Sequence, residues 1–216
     1  MGGIELEKMI GRNERIIWKG VPDKKCFVLE SVFNPMLPFA LIWAIIDFGI
    51  LGVAVKEGAG EAGAFIFPFM LLHLMPVWLY LGGVLFSVRR HRNIKYAVTD
   101  RGIYVSGGVF TVNVEMKPFA EISHIKIHQG IIDQYIGVGD VIVESAGFSA
   151  PAQTFTFRFG KQNVQGRNVS ICDIPDFQGV YNIIKDLQTD VYADTMYPND
   201  YRPPENHGYN TKYTKH

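Results

Sequence analysis

The chain has 216 residues, and its 21 Lys+Arg balance 21 Asp+Glu to a formal net charge of zero. Charged residues are 19% and apolar residues 48%, which excludes disorder along the whole length. No excess basic charge is available to neutralise phosphates, which argues against a nucleic-acid partner, and two cysteines, Cys26 and Cys172, are too few for a disulfide framework.

Residues 1–34 read as a polar leader on the cytoplasmic side. Two long apolar runs follow. Residues 35–55, PMLPFALIWAIIDFGILGVAV, hold one charge, Asp47, and residues 63–88, GAFIFPFMLLHLMPVWLYLGGVLFSV, hold no Lys, Arg, Asp or Glu. A bilayer core about 30 Å thick needs about 20 apolar residues as a helix, so both runs are long enough to span one. The short link KEGAGEA between them (56–62) joins them as an antiparallel transmembrane hairpin. Lys24, Lys25, Arg89, Arg90, Arg92, Lys95 and Arg101 flank the hairpin, whereas its link carries only Lys56. The positive-inside rule therefore places both termini in the cytoplasm, or the matrix if the membrane is organellar, with a bacterial inner membrane as the first expectation. Both cysteines then face a reducing compartment as free thiols. Pro76 predicts a bend in the second run, because proline removes a backbone donor and clashes with the preceding turn.

Ionisable groups inside an apolar span require partners. Asp47 lies eight residues before the end of the first run and His73 ten residues into the second. At 1.5 Å per residue both sit about 12–15 Å from the same boundary, which predicts that they meet as a structural pair.

After Arg92 the period changes from helical to alternating. IKYAVT (94–99), IYVS (103–106), VFTVNVEMK (109–117), ISHIKIH (122–128), VIVES (141–145), TFTFRF (154–159) and VSICDI (169–174) read as antiparallel strands joined by Gly-rich turns. Residues 176–190 place Phe177, Val180, Tyr181, Ile184 and Leu187 at helical spacing behind Asp176 as N-cap. The strands are expected to close a small barrel capped by this helix, the whole forming a domain over 93–190. Residues 191–216 lack an apolar period and read as an extended or disordered tail. Its tyrosines, among them Tyr197, Tyr201, Tyr209 and Tyr213, suit an arm laid on a protein partner.

The string YAVTDRGIYVSGG resembles the opening of bacterial pleckstrin-homology-like (DUF304) membrane proteins through Tyr96, Val98, Thr99, Arg101 and Gly107 or Gly108. The segment 117–147 is similar to the middle of that family through Ile122, Ile125, Gln129, Gly137, Gly139, Val141 and Val143. The leader matches at Glu14, Ile16, Trp18, Gly20 and Pro22, and ICDIPDFQGVYNII fits the closing strand and helix. The likeness runs from about residue 14 to 187. It departs in the histidine content of HIKIHQGIIDQYIG and in the Tyr-rich tail. The resemblance implies a pleckstrin-homology-like barrel on a membrane hairpin and brings no catalytic residues with it.

No phosphate-binding loop, HExxH, GxSxG or CxxC motif occurs. His124 and His128 do not form a metal pair on a strand, where four residues span about 13 Å. With Lys126 they form a polar strand face that could join Arg89, Arg90 and Arg92 against an anionic leaflet. The expected function is therefore a non-enzymatic membrane scaffold or accessory subunit without metal or cofactor, working with a protein partner or as a homo-oligomer. A sensor of anionic lipid headgroups is the alternative.

Overall fold

In the computed structural model, residues 6–12, 14–58, 60, 63–145, 164–165 and 168–196 are described. A short helix α1 (Leu6–Met9) precedes strand β1 (Ile16–Gly20) and helix α2 (Lys24–Val32). Asp23 caps α2, its carboxylate accepting the Cys26 amide at 2.9 Å. The apolar runs become α3 (Met36–Lys56), α4 (Gly63–His73) and α5 (Met75–Asn93). Beyond them come β2 (Lys95–Thr99), β3 (Gly102–Gly107), β4 (Asn113–Pro118), β5 (Ile122–His128), α6 (Ile131–Ile136), β6 (Gly139–Ser145), β7 (Val164–Gln165), β8 (Asn168–Ile174) and α7 (Phe177–Met196).

The strands form two antiparallel four-stranded sheets, ordered β1-β2-β3-β4 and β5-β6-β8-β7. The expected closed barrel is therefore corrected: β4 and β5 do not pair. Pro118, with no amide hydrogen to extend the ladder, and the 3-10 turn at Phe119–Glu121 separate the sheets at this point. The leader supplies a strand that its sequence does not announce, because β1 pairs with β2 from Ile16↔Thr99 to Gly20↔Tyr96. The predicted strand at 154–159 lies outside the described residues, as do Tyr197, Tyr201, Tyr209 and Tyr213 of the tail.

One core fills the space between the sheets. Val98, Ile103 and Val105 from the first sheet meet Val141, Val143 and Ile171 from the second, and α7 closes the core with Val180, Ile184 and Leu187. The helical stripe continues to buried Val191, so α7 runs past Asp190 to Met196, where the sequence predicts extended chain. Asp176 accepts the Gly179 amide at 3.1 Å and fixes the start of α7.

The family-like string acquires a physical basis. The Tyr96 hydroxyl accepts the Cys172 amide at 3.2 Å and ties the sheets together. Thr99 Oγ1 accepts the amides of Arg101 and Gly102 at 3.2 and 3.1 Å, holding the β2–β3 turn. A Cβ at Gly102 would lie 2.4 Å from the Lys117 carbonyl oxygen, so only glycine allows this approach of β3 to β4.

Strand β4 turns its alternating polar residues toward the side of the sheet that holds the core. Its Asn113, Glu115 and Lys117 stand opposite Gly107, Val105 and Ile103 on the core side, and buried Lys117 donates to Ser145. Val114 faces the other way, onto a small cluster with Leu6, Ala97 and Tyr104. Helix α1 covers that outer face, so apolar residues serve both sides of the sheet.

The second apolar run is broken: α4 and α5 meet at Leu74 with a bend of 47°. Pro76, in the first turn of α5, has no amide to continue the α4 ladder. The bend expected at Pro76 is present as a break between two helices, and α5 extends beyond the apolar run to Asn93, carrying Arg89, Arg90 and Arg92 on its last turns. Helix α3 is long and apolar enough to cross a membrane, and α4 with α5 qualifies only if the bent pair counts as one span.

Candidate functional site

Two polar constellations lie where the apolar helices pack on each other and on the sheets. The first is inside the helices. Along α3 the large apolar side chains Ile42, Ile45, Phe48 and Val53 point outward, while Ala40 and Asp47 are buried. This inverts the arrangement of a helix packed in a water-soluble protein. His73 Nδ1 lies 2.8 Å from Asp47 Oδ1. The imidazole is stacked on Trp43 at 5.1 Å and on Phe69 at 5.4 Å. The break before Pro76 releases carbonyls at the end of α4, and tryptophans meet two of them. Trp43 donates its indole N–H to the His73 carbonyl at 2.8 Å, and Trp78 donates to that of Leu71 at 3.1 Å. Asp47, His73, the helix break and both indoles thus form one assembly. Sequence inspection singled out Asp47 and His73 but missed Trp43 and Trp78. The available signal was that carbonyls freed by a proline break in an apolar helix need donors.

The second constellation joins the helices to the sheets. The Tyr80 hydroxyl donates to the Val32 carbonyl at 2.9 Å, and His91 Nε2 bonds the Pro22 carbonyl at 2.9 Å, so α2 and α5 are pinned at two levels. Arg90 lies 4.8 Å over the Phe27 ring, which His91 meets edge-on. Below Phe27, Cys26 Sγ donates to Asp133 Oδ1 at 3.1 Å, and the other oxygen of Asp133 accepts the Gly130 amide at 2.8 Å. On β8, Asp173 adopts φ +57°, gives its amide to Asp140 at 2.9 Å and receives the Asp23 amide on its carbonyl at 2.7 Å. The left-handed backbone of a non-glycine residue here is held in place by these contacts. Three elements far apart in sequence, α2, α6 and β8, are stitched together at this point.

Cys26, Glu30, Asp133 and Asp173 bring one donor atom each within 4.8 Å of one another, a set that has the ligands for a divalent cation. The Cys26 thiol is hydrogen-bonded within this set. Burial pushes the Cys26 thiol well above its usual range, helped by its bond to Asp133, and it acts as a donor. A metal-bound thiolate would have to give up that proton. The arrangement as it stands is a hydrogen-bonded hub. Cys26 and Cys172 are both buried and unbridged.

Arg89 and Arg92 are exposed at the end of α5, while Arg90 is directed inward over Phe27. His124, Lys126 and His128 are exposed on β5, the edge strand of the other sheet, and Lys126 is paired with Glu144 on β6. That pairing reduces the positive charge the strand can offer to an anionic ligand. A groove of about 470 Å³ lies between α1 and the β1 edge, lined by Leu6, Glu7, Lys19 and Lys95, with Lys19 bonded to Glu7 at 3.0 Å.

Compared with known proteins, residues 36–188 match the sequence model of the family described as Bacterial PH domain. No curated protein and no solved structure matches the chain.

Proposed function

We propose, from the premise that the chain belongs to the bacterial PH domain family, that it is a non-enzymatic integral membrane protein presenting this domain as a scaffold or accessory subunit. Helix α3 and the bent α4–α5 pair form the membrane hairpin, and both termini and the sheet domain lie on the cytoplasmic side of a bacterial inner membrane. One observation carries the reading: α3 exposes its large aliphatic and aromatic side chains and buries its single carboxylate. In water that arrangement forfeits about 25 cal/mol for every Å² of apolar surface left exposed, whereas lipid removes the penalty. The Asp47 Oδ1–His73 contact and the two indole–carbonyl bonds give these groups the internal partners that a hydrocarbon environment favours, although Asp47 Oδ2 is buried without a hydrogen bond.

The family supports a binding role, and the hub at Cys26 suits it by joining α2 to α6 and β8 of the sheet domain. The arm at residues 197–216, with Tyr197, Tyr201, Tyr209 and Tyr213, is assigned to a protein partner or to a second copy. Cysteine placed at Gly60 tests the topology. A membrane-impermeant maleimide should label it from outside intact cells, and labelling only after lysis overturns the orientation. For the scaffold role, a chain ending at Met196 should lose, in mild detergent, the stoichiometric partner that the full chain retains. Full retention by the truncated chain removes the arm from the proposal. Monomeric protein that binds anionic vesicles through His124, Lys126 and His128 would instead favour the lipid sensor.

A further inference from the structure

The β3–β4 connection has an unusual economy. Its backbone is fixed firmly. Gly108, at φ +130°, leaves no room for a side chain, since a Cβ there would meet the Thr111 carbonyl oxygen at 1.9 Å. Asn93 Nδ2 donates to the Gly108 carbonyl at 3.0 Å, and Arg89 Nε donates to that of Val109 at 3.1 Å. Both anchors come from the last turns of α5, so the connection is clamped to that helix. Yet its largest side chain, Phe110, is directed outward and is 74% exposed. On α5, Phe86 meets the ring edge-on at 5.3 Å, and the Arg89 guanidinium lies 5.7 Å from its centre.

The surface that Phe110 extends is the apolar surface of α5. Leu85 and Phe86 beside it are themselves exposed, and exposed Arg89 and Arg92 follow one turn and nearly two turns later. Outward apolar groups that give way to arginines within two turns mark the depth at which a helix leaves hydrocarbon for headgroups. A phenylalanine held at that depth by a glycine-tightened loop, under an arginine that can reach phosphate, fits the interfacial layer of a bilayer.

We propose that the β3–β4 connection is a second membrane contact of the sheet domain. Phe110 inserts into the interfacial layer of the cytoplasmic leaflet, and Arg89 spans from the ring and the Val109 carbonyl to lipid phosphates. The domain then meets the bilayer both through its helices and through its first sheet, which fixes its orientation on the membrane surface. This inference rests on the membrane assignment of α3, and the test separates the two.

The full chain is reconstituted in vesicles of phosphatidylethanolamine and phosphatidylglycerol with one nitroxide label at a time, at Phe110→Cys, Phe48→Cys or Glu121→Cys. Buried Cys26 and Cys172 stay in place, and unsubstituted protein serves as the labelling blank. Collision with oxygen and with a water-soluble nickel chelate is read by power saturation. Position 48 on α3 should be open to oxygen and closed to nickel. Position 121, at the far end of β4 from the connection, should be open to nickel. Position 110 should lose nickel access and keep oxygen access. If position 48 behaves as lipid-facing while position 110 stays open to nickel, the contact is refuted and the membrane assignment stands. A label at position 110 closed to both reagents means that protein covers the loop, which also refutes it. Nickel access at position 48 overturns the membrane assignment and this inference together.

Discussion

Replacing both members of the Asp47–His73 pair should cost less than the sum of the single replacements. The carboxylate is 1% exposed, and one of its oxygens lies 2.8 Å from His73 Nδ1. His73→Phe keeps the flat ring between Trp43 and Phe69 and removes only the hydrogen bond, stranding a buried carboxylate at about 1–3 kcal/mol or more. Asp47→Leu removes the stranded group at nearly constant volume. Hydrogen bonds between membrane helices contribute about 0.6 kcal/mol on average and up to about 1.7 kcal/mol. The coupling in a double-mutant cycle should fall in that range, and the double variant should be more stable than His73→Phe alone. Unfolding in mixed micelles with rising dodecyl sulfate measures this. Trp43 is the reporter, since its indole is bonded to the His73 carbonyl and stacked on the ring. Losses that add within about 0.3 kcal/mol, the behaviour of independent sites, would refute the reasoning.

Three further outcomes are expected. Arg90→Ala should lower stability by about 2 kcal/mol and Arg90→Lys should recover less than half, because a desolvated guanidinium over an aromatic ring is not replaced by an ammonium; thermal melts should show exposed Arg89→Ala costing under about 1 kcal/mol. The Cys26 thiol is pushed up in the fold, so the unfolded chain loses this proton first, and stability should be intact below about pH 8.5 and fall by about 1.4 kcal/mol per pH unit above it. Denaturant titrations at pH 8 to 10 should show this slope and its reduction in Cys26→Ser; added chelator should leave the melting temperature unchanged, and a drop would reassign the hub as a metal site. Thr99→Val strands the amides of Arg101 and Gly102 and should cost about 1–3 kcal/mol by chemical denaturation, whereas a loss under about 0.5 kcal/mol would show that water replaces the hydroxyl.

What the sequence by itself determined was whatever depends on a fixed repeat along the chain. Helical rise and spacing placed α3 and the stripe Val180, Ile184, Leu187, and set Asp47 and His73 at one depth on neighbouring helices. Alternation located β2, β3, β5, β6 and β8, and the missing amide of Pro76 located the helix break. Tertiary structure decided everything that depends on what stands opposite. Alternation in β4 shows two faces but not which one meets the core, and the first sheet buries apolar groups on both sides because α1 covers its outer face. The leader strand β1 is five residues long and becomes a strand only because β2 offers it an open edge. The strands form two separate sheets, because β4 ends at Pro118 and a 3-10 turn intervenes before β5. Cys26, Asp133 and Asp173 are separated by scores of residues, and each looks ordinary in its own segment. Their common burial, and the proton that it keeps on Cys26, arise only when α2, α6 and β8 exclude water from the same point.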